Sequence, residues 1–357
     1  MATATERYGD WPLKRLMTEV VGSGHKSAED MTRDQAREAM QRIMGGAPDP
    51  TTLGAFWLAN RWKRNTPTEL AAFTDVMAEE SVEQAIPSAD PVDCGANYDG
   101  KHTTVLLGVG AGVVAAAAGT PVVAHSGDRV PTQKACAYKH VLDELGVRTD
   151  LEPTESAEMV DAVGFGFYYQ PNFNPGIDAL WDRRDQMGVR VFINTIETLA
   201  NPAGADVHLG SFYHLPFAKR IVDTITESDT LDIGRVIMFQ GMEGYDDIRP
   251  GSTKVAEWDT DAEGGLIDYD IETPDYGMDF EYDDLEVADV PADSARITED
   301  VLAGDRDDRF VDAIALNAAF RIYARGDVET LEDGLTRARN AIDDGSAAAA
   351  LEELKAF

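Results

Sequence analysis

Apolar positions at the start of the chain follow a helical period. Leu13, Leu16, Met17, Val20 and Val21 fall on one face. Thr32 precedes a second periodic run over residues 33–44, which stops at Gly45 and Gly46. Residues 51–61 are amphipathic and rich in Leu, Phe and Trp, and Thr66-Pro67-Thr68-Glu69 opens a further helix with proline in its first turn. The expectation is a small helical bundle over residues 1–86.

After Pro87 the pattern changes. Val92-Asp93-Cys94 reads as a short strand, 95–100 as a loop, and 103–118 as a helix closed by Gly119. A strand at 121–124 then leads through a polar loop to a helix over 133–145. Strand, glycine loop, helix and strand in that order predict a doubly wound α/β domain over residues 87–357. Further strands are expected at 163–168 and 236–239, and helices at 178–187 and 217–226. Residues 257–295 read as an irregular, acidic, β-rich excursion. Helices at 298–302, 308–324, 330–343 and 347–357 close the chain. The predicted fold class is thus α/β, a small N-terminal helical bundle beside a large doubly wound domain with C-terminal helices.

Composition adds limits. The 357 residues, 43% of them hydrophobic, suffice for one large or two modest domains with a full core. No apolar run approaches the roughly 20 residues that span a bilayer, and the N-terminus has no signal pattern. A cytoplasmic protein is expected. Cys94 and Cys136 form no CxxC pair, which disfavours a zinc site or disulfide framework. The charge is extreme: 65 acidic against 31 basic residues, net -34, spread along the whole chain. That excess suits a cytoplasm at very high salt, where screening shortens to about 3 Å at 1 M. It also argues against nonspecific nucleic-acid binding, which needs clustered Lys and Arg.

Four loops carry candidate chemistry. Asp246 and Asp247 stand side by side after the apolar run Val236-Ile237-Met238-Phe239, bracketed by Gly241 and Gly244. Adjacent carboxylates in such a loop suit Mg²⁺, which takes one or two carboxylates plus substrate phosphates; solvated acids are the bland alternative. The loop from Gly95 through Asp99 to Gly100 offers backbone N–H groups to an anion, or is a plain tight turn. His125, Gly127, Arg129, Thr132 and Lys134 lie beyond a strand end, where open α/β sheets bind ligands. A polar connection with Arg129 on a nearby carboxylate is the alternative. Asn174 sits in the proline-bracketed Gln170–Pro175 loop, and Arg184 follows on a helix. Arg184 suits a carboxylate, although a helix salt bridge is the common fate of such a residue.

These loops, in this order, resemble anthranilate phosphoribosyltransferase and the wider nucleoside phosphorylase-like phosphoribosyltransferases, over nearly the whole chain. The stretch from Phe56 to Leu70 is similar to the family's dimer-forming segment, Gly188–Asn194 through Asn201-Pro202-Ala203 to its Gly-x-Arg-Thr-x-Phe-Asn…Asn-Pro-Ala signature, and Gly241–Ile248 to its magnesium loop. Leu316-Asn317-Ala318-Ala319 and the last helix also fit. The resemblance implies helices from about 176–205 packing on the small domain, with the active site between the domains. It implies Mg²⁺ on Asp246 and Asp247, anthranilate carboxylate on Arg184, and Asn174 where histidine is usual. It also implies phosphoribosyl diphosphate and an aromatic amine as substrates, and a homodimer through the N-terminal helices.

The departures are concentrated. Gly-Thr-Gly-Gly-Asp becomes Gly95-Ala96-Asn97-Tyr98-Asp99, and Asn-x-Ser-Thr becomes Val105-Leu106-Leu107-Gly108. The lysine before the family's histidine is Ala124. These changes resemble a divergent branch that keeps the fold without anthranilate transfer. Two alternatives therefore stand beside the transferase: a binding protein for nucleotide or nucleic acid, and an enzyme with another acceptor.

Overall fold

The computed structural model describes residues 7–96, 100–129, 135–261 and 265–357. Asp99 and Thr132, with Tyr98 and Lys134, lie outside the described residues.

A helical lead, Leu13–Leu16 running into Met17–Val21, precedes α1 (Arg33–Met44), α2 (Pro50–Lys63) and α3 (Pro67–Glu80). Their starts are set by sequence. Thr32 and Gln35 form a reciprocal capping box, as do Thr66 and Glu69, and Asp49 caps the Thr51 and Thr52 amides. Leu16, Met40, Phe56, Trp57, Phe73 and Met77 bury the inner faces of this bundle. The same core takes in Phe173, Ile177, Phe192, Ile193 and Ile196, so the 173–203 segment packs with the N-terminal helices. Asp75, fully buried on α3, accepts from the Ser228 and Thr230 hydroxyls and pairs with Arg33, tying the bundle to the large domain.

The large domain contains β1 (Val92–Gly95), α4 (Gly108–Ala117), β2 (Val122–Ser126), α5 (Tyr138–Glu144), α6 (Pro153–Val163), β3 (Phe165–Tyr169) and α7 (Trp181–Met187). It continues with β4 (Val207–Phe212), α8 (Leu215–Glu227), β5 (Arg235–Gln240), β6 (Ser252–Asp259) and β7 (Ile267–Glu272). Helices α9 (Val290–Leu302), α10 (Arg309–Arg325), α11 (Leu331–Asp343) and α12 (Ser346–Ala356) end it. One seven-stranded sheet runs β3-β2-β1-β4-β5-β6-β7. Its pairings are parallel from β3 to β5, whereas β6 and β7 add an antiparallel hairpin. That hairpin forms the first part of the expected β-rich excursion.

Two further expectations are corrected. The helix placed at 103–118 begins at Gly108, because residues 102–104 give their backbone N–H groups to the Glu243 carboxylate instead of to a helical ladder. Residues 207–212, not anticipated as a strand, form β4 between β1 and β5, buried along its whole length. Register sets Asp93 level with His208 on β4 and Val123 on β2. A carboxylate is thereby placed in the middle of the sheet, on the face that α8 helps to cover.

Candidate functional site

Asp246 and Asp247 are fully buried, and each already faces a cation. Arg321, from the middle of α10, brings Nη2 to 2.9 Å from Asp246 Oδ2, and the Tyr138 hydroxyl donates to the same oxygen at 2.7 Å. Lys101 brings Nζ to 2.6 Å from Asp247 Oδ2, which also accepts from the Leu107 amide at 3.1 Å. Both cationic side chains are as inaccessible as their partners. Burial pushes the Asp246 carboxyl above its ordinary range despite Arg321.

As paired here, the two aspartates are closed to a bare divalent cation. Two carboxylates and two buried cations are already neutral, so a further double charge without solvent access would be uncompensated. The Oδ1 atoms of both aspartates lack a hydrogen-bond partner. Glu243, the nearest acid in the loop, is committed to the amides of 102–104. The expected magnesium pair is, in this arrangement, the anionic half of two internal ion pairs.

Arg184 is likewise occupied. Its guanidinium makes a bidentate pair with Glu197, 2.6 and 2.9 Å, with both side chains buried. Glu197 also accepts from Gln170 Nε2 at 3.0 Å. An expected carboxylate-binding arginine thus holds a carboxylate of its own chain. Gly127 and Arg129 border the same region, which leaves about 10 Å³, room for a water at most. The Arg129 guanidinium stacks on the Trp181 ring at 3.9 Å and lies 3.7 Å from Asp178. Asn174 is buried and accepts from the Ser81 hydroxyl at 2.6 Å. Gly95 approaches protein rather than ligand: an added Cβ would lie 1.9 Å from the Thr198 carbonyl oxygen. An added Cβ at Gly100 would lie 2.5 Å from Ala135 Cβ. Both cysteines are buried, and burial pushes the Cys136 thiol up to about 12, so it is unreactive.

His125 belongs to a different group. It is buried at the end of β2, with Nε2 3.2 Å from Asp93 Oδ1, while His208 Nδ1 lies 2.8 Å from Asp93 Oδ2. Burial alone would raise the Asp93 carboxyl. The attraction of His125 and the hydrogen bond to His208 outweigh it and hold the group at about 2. His208 also lines a cavity of about 310 Å³. This space lies between the 190–198 segment, the ends of β4 and β5, and α8. Ser211, Tyr213, His214, Arg61 and Arg190 line it too. The sequence reading missed His208 because it missed β4. The available signal was Val207 and Leu209 in alternation directly after the Asn201-Pro202-Ala203 turn.

A helical bundle beside a large α/β domain is the architecture of a glycosyl transferase family. The glycosyl transferase family's a/b domain matches residues 90–348, and its helical bundle domain matches residues 17–81. The anthranilate phosphoribosyltransferase of Methanocorpusculum labreanum is 34% identical, over 92% of this chain and 94% of its own. The structure of anthranilate phosphoribosyltransferase from Thermus thermophilus superposes with a TM-score of 0.79 at 25% identity, covering 97% of this chain and 98% of that one. That of the Saccharomyces cerevisiae enzyme in complex with PRPP and Mg gives 0.80 at 18% identity, covering 96% of each. The chain belongs to the anthranilate phosphoribosyltransferase family.

Proposed function

We propose that the protein is a pentosyltransferase that moves a 5-phosphoribosyl group from phosphoribosyl diphosphate to an aromatic amine, anthranilate being the first candidate. The observation that carries the reading is the match to anthranilate phosphoribosyltransferases across both domains, together with a cavity of single-ring size beside their junction. In such a transfer the amine nitrogen bonds to the ribose carbon as the bond to diphosphate breaks. The diphosphate leaves with the electron pair, and the amine loses a proton. Positioning and electrostatics supply most of the acceleration. Mg²⁺ belongs to this proposal as counter-ion of the diphosphate, on the strength of the yeast relative solved with PRPP and Mg. No step is assigned here to Asp246 and Asp247, whose charges Arg321 and Lys101 already balance.

A second reading, a binding protein on the same fold, draws on those neutralised aspartates and on the occupied Arg184. Its nucleic-acid form is opposed by the net charge of -34. We also place the protein in a salt-rich cytoplasm, on its charge, and as a homodimer through the N-terminal helices. Leu58 and Trp62, one turn apart on α2 and 44% and 75% exposed, support the dimer. Described residues include no helix long and apolar enough to cross a membrane. The deciding experiment incubates the full chain with phosphoribosyl diphosphate, anthranilate and Mg²⁺ in molar KCl and measures diphosphate release. Release that depends on anthranilate is expected; none at any salt concentration would remove the transferase reading.

A further inference from the structure

We propose that Glu243 is an internal competitor at an anion site: its carboxylate plugs a set of donors at residues 102–104 that fits a phosphate group, and it withdraws before inorganic phosphate or diphosphate binds there. Anion binding at this place needs no reaction. Only a consequence for turnover would rest on the transferase reading above.

The donors are assembled without Glu243. The Lys101 amide donates to the Cys136 carbonyl at 2.8 Å, and the Val105 amide to the Leu285 carbonyl at 3.0 Å. The Thr103 carbonyl accepts from the Val287 amide at 2.8 Å. With both ends of the segment pinned, the amides of His102, Thr103 and Thr104 all reach the Glu243 carboxylate, and the hydroxyls of Thr103 and Thr104 join them. Successive N–H groups turned to one side form an anion-binding nest. His102 and Thr103 are exposed, so this nest is reached from solvent.

The occupant matches the nest poorly. The His102 amide donates to Glu243 Oε2 at 2.7 Å, while the other four bonds, 2.7 to 3.4 Å long, all fall on Oε1. A carboxylate oxygen has about two lone pairs to offer them. A phosphate group has more acceptor oxygens and shares the same donors more evenly. Glu243 also holds φ 51° and ψ 20°, a left-handed conformation that a residue other than glycine seldom adopts. Burial alone would raise its carboxyl; the bonds from His102 and Thr104 outweigh it and hold the group below its ordinary range. Glu243 and Gly244 border the cavity of about 310 Å³, which gives the side chain room to withdraw.

Calorimetric titration of the full chain with potassium diphosphate, and separately with inorganic phosphate, in molar KCl free of divalent cations tests the plug. Glu243→Gly removes the carboxylate and suits the positive φ of that turn. It is expected to bind diphosphate at least about tenfold more tightly than the native chain, because the open nest is no longer a minor state. Glu243→Gln keeps the shape and one acceptor without the charge. It is expected to gain about threefold, and it carries the test if the glycine variant does not fold. A gain with both anions identifies a single phosphate group as the ligand, and a gain with diphosphate alone identifies a diphosphate; either supports the plug. Hydrogen exchange places the site. The 102–104 amides should exchange slowly in the native chain, fast in Glu243→Gly, and slowly again once diphosphate is added. Unchanged or weaker affinity in the folded variants would overturn the proposal. So would tighter binding without renewed protection of those amides, which would put the anion elsewhere. Neither readout involves turnover, so failure of the plug leaves the transferase reading standing, and absence of turnover leaves the plug standing.

Discussion

Two regions of this molecule carry buried charge and treat it oppositely. Around Asp246, Asp247 and Arg184, every charge described has an internal opposite: Arg321, Lys101 and Glu197. Along β4, Asp93 holds His208, but His208 also borders open space. Residues that suit a ligand in sequence can be satisfied by their own chain once folded. What separates a closed ion pair from a working site is whether one member still faces a cavity of useful size.

The comparison is broken most severely at Lys101. Replacing it in Lys101→Met leaves the Asp247 carboxylate buried and unpaired. The predicted loss is about 4 kcal/mol of stability, measured by denaturant unfolding in molar KCl. Millimolar Mg²⁺ should raise the unfolding midpoint of this variant and leave the native chain unchanged. A native chain that responds to Mg²⁺ through Asp247 would show that Lys101 yields to metal, and the contrast would fail.

A smaller effect is expected at Glu197. Glu197→Gln removes the charge opposite Arg184 and should cost about 3 kcal/mol. Anthranilate affinity should stay as it was, because Arg184 is buried and has only about 10 Å³ of open space beside it. Tighter anthranilate binding in this variant would mean that Arg184 is a latent carboxylate site, and the two regions would have to exchange roles.

The smallest effect is in the pH dependence. Asp93 is held at about 2 in the fold against an ordinary value of 3.8. The unfolded chain therefore binds more protons between those values. The contribution, about 2 kcal/mol, is complete above about pH 4 and disappears as pH falls toward 2. Asp93→Asn should flatten that part of the acid unfolding curve relative to the native chain. An identical acid limb in the two proteins would show that Asp93 is not held by its histidines.

Much of the fold was legible because its signals are local. Thr32 with Gln35 and Thr66 with Glu69 announce helix starts, and both capping boxes form. The 121–124 and 236–239 runs are strands, as their apolar character requires. What escaped was non-local. Residues 207–212 mix Val, His, Leu, Gly, Ser and Phe, and nothing within the segment shows that β1 and β5 flank it. The early helix expected at 103 fails because a carboxylate about 140 residues away claims its first amides. For the candidate site, the loops that carry Asp246, Asp247 and Arg184 can be read in the sequence, but their partners are set by folding. Lys101, Arg321 and Glu197 lie 146, 75 and 13 positions from those residues, and no spacing rule joins them.

The most direct test is a crystal structure of the full chain grown with anthranilate, phosphoribosyl diphosphate and Mg²⁺. The account predicts Lys101 still on Asp247, Arg321 still on Asp246 and Arg184 still held by Glu197. Anthranilate against Arg184 with Glu197 displaced, or Mg²⁺ seated between Asp246 and Asp247, would contradict it.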